Sequence, residues 1–175
     1  MCDNEYLIFH DSSYCAFELC QASLDQFFLD DDDPKKFRGP MPSKKSLFLG
    51  LCQGMEFIHS KNLIYDDVNP RRIFIFVDSR DPKNSKAKWS VSSLLNKSVE
   101  NDGNVRLNED NKVIWKPPEL LKDQLKEQET IERNIFAIGL VFAYVLLGGN
   151  HLYDSGGDQI INNMKNNRPV NLYSI

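Results

Sequence analysis

Five polar side chains crowd one short stretch of this sequence: Asp66, Asp67, Asn69, Arg71 and Arg72, within LIYDDVNPRRIF, Leu63 to Phe74. An aspartate in such a loop can orient a substrate hydroxyl, and an arginine pair can clamp a phosphate. The bland alternatives are as concrete. Aspartate in a turn bonds nearby backbone, and two neighbouring arginines on a surface form a solvated basic pair. The stretch is therefore a catalytic loop, a catalytic loop that has lost its chemistry, or an acidic turn between two buried elements.

Other reactive groups add little. Cys2, Cys15, Cys20 and Cys52 lack CxxC pairing, and three histidines do not complete a metal-ligand cluster with them. Four consecutive aspartates, Asp30 to Asp33, lack the alternating ligands, turn glycine and closing glutamate of a calcium loop. His59 follows an apolar helix face and reads as a packing histidine with its hydrogen bonds satisfied.

The elements that must position the loop follow from periodicity. Tyr6 to Phe9 and Tyr14 to Leu19 read as two short strands around the turn HDSS. Ser23 caps a short helix through Phe28, and residues 30–42 form a solvated acidic loop. Ser43 to Lys61 is the clearest amphipathic helix. Leu47, Leu51, Met55 and Ile58 recur on one stripe, with Phe48, Cys52 and His59 beside them. Ile73 to Val77 is a strand, paired through a polar turn with a second strand around Ala87 to Val91. Residues 96–112 read as a long exposed loop. Pro117, Pro118 and Glu119 open a short helix, since proline is tolerated in a first turn. A helix buried on all sides begins after Thr130 and stops at Gly148 and Gly149, and another helix occupies 157–165.

The chain has 175 residues, 41% hydrophobic and 26% charged, with a net charge of −4, which suits one soluble domain and gives no reason to expect nucleic acid. The run IFAIGLVFAYVLLGG, Ile135 to Gly149, is too short for a membrane span. MCDNEYLIF is not a signal peptide, and the cysteine usage suits a reduced, cytoplasmic setting.

This order of motifs resembles the larger, C-terminal lobe of a protein kinase, whose pattern is H-R-D-L-x-x-x-N, then D-F-G, then A-P-E. YDDVNPRR (Tyr65 to Arg72) stands for the first motif, after FIHSKNLI; PPE (Pro117 to Glu119) stands for the last; HLYD (His151 to Asp154) resembles the H-P-F-G that follows the central helix. FELCQASLDQF (Phe17 to Phe27) is similar to the hinge of the inositol-requiring-type kinase/endoribonucleases and of ribonuclease L. RNIFAIGLVFAYVLLGGNHLYD resembles their D-I-F-S-x-G-C-V-F-x-Y-V segment. The resemblance implies an α+β, mostly helical fold: a kinase-like C-lobe with a remnant of the N-lobe and hinge strands. It places a hinge at about 14–20, a catalytic-loop region at 63–72, an activation-loop region at 92–119 and a central helix at 131–148.

Carried over residue by residue, the resemblance makes Asp67 the catalytic aspartate and Phe17 the gatekeeper. Glu18 and Cys20 would offer backbone groups to adenine, although by residue type this strand is core. The charge-balancing lysine is Asn69, the metal-holding asparagine is Arg72, and the aspartate of D-F-G is Ser92. Both expected magnesium ligands are thus replaced. Asp66 replaces the arginine of H-R-D, so a phosphorylated loop would meet repulsion there. Asn134 replaces the aspartate that anchors the loop backbone, and Glu119 is expected to lack its late arginine partner. No glycine-rich loop or V-A-I-K lysine precedes Tyr6, so half of a nucleotide cleft would be open. The expectation is a pseudokinase-type docking module with protein partners, related kinases among them, and no bound cofactor. ATP and magnesium belong only to the alternative, a divergent Ser/Thr kinase or part of a kinase/endoribonuclease in stress signalling. A partial gene product is the third reading.

Overall fold

The computed structural model describes residues 6–9, 12–15, 18–65, 67–78, 80–81, 84–90, 113–122, 130–156 and 159–175. Two strands come first, β1 (Tyr6–Phe9) and β2 (Ser12–Cys15), antiparallel with Phe9 opposite Ser12. The expected second strand, Tyr14 to Leu19, is therefore displaced toward β1. Phe17 lies outside the described residues. Next, β3 (Ala22–Ser23) leads into a 3-10 turn, Leu24–Phe27, rather than a helix through Phe28. Gln26 Oε1 accepts the Ser23 N–H at 2.9 Å, and the Ser23 hydroxyl donates to Asp25.

Helix α1 (Lys44–Ser60) starts at Ser43, whose hydroxyl oxygen accepts the Ser46 N–H at 3.2 Å. It buries Leu47, Leu51, Met55 and Ile58, the stripe that the periodicity marks. Cys52 departs from that stripe and is exposed, because its position lies past the outer edge of the apolar arc. Strands β4 (Ile73–Phe76) and β5 (Lys86–Trp89) complete an antiparallel sheet in the order β3-β4-β5. Its inner face, Ile73, Ile75 and Ala87, packs in the core with α1. Close approach of β5 to α1 depends on two glycines. A Cβ at Gly54 would stand 2.9 Å from the Trp89 ring, and one at Gly50 would stand 3.4 Å from the Ala87 carbonyl. The Trp89 indole N–H donates to the Leu51 carbonyl at 2.9 Å across that contact.

Short helix α2 (Pro118–Lys122) begins at its proline as expected. Helix α3 (Ile131–Leu146) begins at Thr130, whose hydroxyl accepts the Arg133 N–H at 3.4 Å. It ends at Gly148 and Gly149, both at positive φ, where Gly149 backs onto Phe28 with no room for a side chain. Stacking of Phe48 on Phe142, with centroids 4.2 Å apart, joins α1 to α3. One expectation fails: α3 is not buried on all sides, since Ile131, Ile135 and Leu146 are exposed on one stripe. Hydropathy records that those positions are apolar; it cannot supply a neighbour to cover them. No helix among the described residues is long and apolar enough to cross a membrane.

Helix α4 (Ile160–Lys165) and the turns around it close the end of α3. His151 is the pin. Its Nε2–H donates to the Ile114 carbonyl at 3.1 Å, and its Nδ1 accepts the Tyr153 N–H at 3.2 Å. Trp115 stands edge-on to the ring at 5.1 Å. Burial lowers the imidazole to about 4, well under the ordinary histidine value. The folded state therefore holds the neutral ring, and the unfolded chain binds the proton more readily. Stability from this group is complete above pH 6.5 and is lost as the pH falls toward 4, about 2 kcal/mol being gone by pH 5. Urea melts at pH 7.5 and pH 5 should show that loss in the parent protein; in His151→Gln the drop should shrink by about the same amount, from a lower starting stability.

Candidate functional site

The loop from Leu63 to Arg72 joins the end of α1 to β4, and its position is set by α3. Asn134, 4% exposed, accepts the Tyr65 N–H on Oδ1 at 3.0 Å and donates from Nδ2 to the Tyr65 carbonyl at 2.6 Å. The same Oδ1 lies 3.0 Å from His59 Nε2, so His59 carries its proton there and is satisfied. The sequence anticipates only an acceptor at Asn134. An amide does more than a carboxylate could, because it pairs with both halves of one peptide unit.

Tyr65 passes this constraint on. Its ring is buried against Trp89, and its hydroxyl donates to the Ser90 carbonyl at 2.5 Å. Ser90 N–H in turn donates to the Arg72 carbonyl at 2.8 Å. Tyr65 thus ties the front of the loop, and Arg72 its back, to the end of β5. Residue type alone marks Tyr65 as apolar frame; only the fold shows what its hydroxyl reaches.

Between these anchors the polar side chains close on one another. Asn69 Oδ1 accepts the Arg71 N–H at 2.9 Å and starts a 3-10 turn, Pro70–Arg72. Its Nδ2 donates to Asp67 Oδ1 at 2.6 Å. The turn swings Arg72 back, so its Nε–H donates to Asp67 Oδ2 at 2.8 Å. The side chains of this pair are only 9% and 19% exposed. Arg71 behaves differently: 61% exposed, it lies 3.5 Å from Asp25. A solvated basic pair describes Arg71 but not Arg72, because the 3-10 turn puts the two arginines on different sides. Asp66 lies outside the described residues.

The hinge residues are not brought into this cluster. Glu18 pairs through its carboxylate with Lys88 of β5, whose ammonium stands 4.6 Å from the Phe76 ring centroid. Cys20 is half-buried, and Gln21 N–H donates to the Ile75 carbonyl at 3.0 Å, which pins the segment to β4. Leu19 is 85% exposed, so a core reading of this strand is wrong at that residue. The β2 pairing ends at Cys15, and past it nothing obliges alternate side chains to turn inward.

The family model for protein tyrosine and serine/threonine kinases matches residues 7–172, and the chain belongs to the protein kinase family. Among its relatives is the rice Wee1-like protein kinase, 26% identical over 82% of this chain and 24% of the relative. Another is the fission yeast "Sensor for unfolded proteins in the ER ire1", 26% identical over 88% of this chain and 16% of the relative. The human "Serine/threonine-protein kinase/endoribonuclease IRE2" is 30% identical over 79% of this chain and 15% of the relative. The chain thus spans a quarter or less of the length of these proteins.

The family implies magnesium and ATP, and the residues can be tested for them. At the position that the resemblance assigns to the family's metal-holding asparagine, Arg72 offers five donors, a fixed positive charge and no acceptor, with Asp67 already bound to it. A hard dication needs oxygen ligands, so this half of the site does not fit magnesium. Ser92, at the other ligand position, lies outside the described residues.

Two substitutions probe the cluster. Removing one partner of a largely buried ion pair strands the other, so Arg72→Ala should lower stability in urea by about 3 kcal/mol, against under about 1 for Arg71→Ala. Asn134→Asp, which restores the family residue, loses the donor to the Tyr65 carbonyl. It should cost about 1–3 kcal/mol in the same measurement; equal or higher stability would mean that the acceptor alone anchors the loop.

Proposed function

We propose that this chain is a protein-kinase-like domain that no longer transfers phosphate and that works by docking other proteins, related kinases among them. The observation that carries the reading is the Asp67–Arg72 pair: the catalytic-loop carboxylate spends its charge on a cation of its own chain. Phosphoryl transfer rests on positioning and on electrostatic stabilisation of the transferred group, and both are weakened when arginine and serine stand at the two positions where the family holds its metal. On this view no ATP or magnesium is bound, and the domain works in the cytoplasm.

A second reading keeps an enzyme. Asp67 still stands at the catalytic position, and several relatives are named kinase/endoribonucleases or a sensor for unfolded proteins. Within a longer protein the chain would then be a divergent ATP-dependent Ser/Thr kinase, or part of a kinase/endoribonuclease acting in unfolded-protein stress signalling and RNA cleavage.

Thermal melts and γ-labelled ATP decide between them. The docking reading expects a cooperative transition whose midpoint is unmoved by ATP with magnesium, and no incorporated label, because only a ligand of the native state raises the midpoint. Magnesium-dependent autophosphorylation that disappears in Asp67→Asn would sink it.

A further inference from the structure

We draw no further inference here: the strongest candidate, the exposed aliphatic row of Ile131, Ile135 and Leu146 on the outer face of α3, is an apolar surface patch, and nothing in the structure shows what covers it.

Discussion

The hydrogen-bonded exchange between the Asn134 amide and the Tyr65 peptide unit is the constraint on which the catalytic-loop region depends. Both partners are sealed from water, so neither has an alternative if the other is lost. Through it α3 holds the loop, and through His59 it holds the end of α1 as well. Tyr65 then carries the position to Ser90, and Ser90 to Arg72, so both ends of the loop answer to one buried amide. The exchange needs a donor and an acceptor on one side chain. That explains why asparagine serves here without the negative charge that an aspartate would bring into a buried place.

Inside this frame Asp67 meets its countercharge within the loop. A buried carboxylate without a partner is expensive, and an enzyme loop meets that expense by recruiting a metal or a substrate. Here Arg72 meets it from five residues away, with Asn69 adding a donor and the 3-10 turn fixing both. Any external cation would have to displace a guanidinium that is already close and already paid for in the fold.

Much of the frame was legible from residue types. The Leu47, Leu51, Met55 and Ile58 stripe, the helix starts at Ser43 and after Thr130, the strand at Ile73 and the glycine stop at Gly148 each follow from a local rule that the fold does not override. What was not legible depends on atoms meeting across distance. Arg72 and Arg71 look alike in sequence, and the turn that separates them is set by the Asn69 cap. The Tyr65 hydroxyl finds Ser90 only because β5 passes there, and it passes there because Gly50 and Gly54 let it. Cys52 and Leu19 failed for a different reason: an apolar residue near a buried stripe stays exposed where none of the described elements covers it.

The same helix shows how fold and chemistry separate. On its inner face α3 keeps the demanding features of a domain core: a buried amide with both groups satisfied, a stacked aromatic pair and a terminal glycine pressed against Phe28. These are the positions at which a substitution unfolds a protein, and they are intact. The positions that the kinase resemblance assigns to a charge-balancing lysine and a metal-holding asparagine carry Asn69 and Arg72, on which the proposed loss of phosphate transfer rests. On its outer face α3 leaves large aliphatic side chains in water, where burial against a partner would favour association by roughly 25 cal/mol for each square ångström covered. Stability kept inside and the charge of Asp67 met within the loop are the features on which the proposed docking reading draws. The proposed docking reading rests most heavily on the Asp67–Arg72 pair, which occupies the carboxylate that phosphate transfer would need.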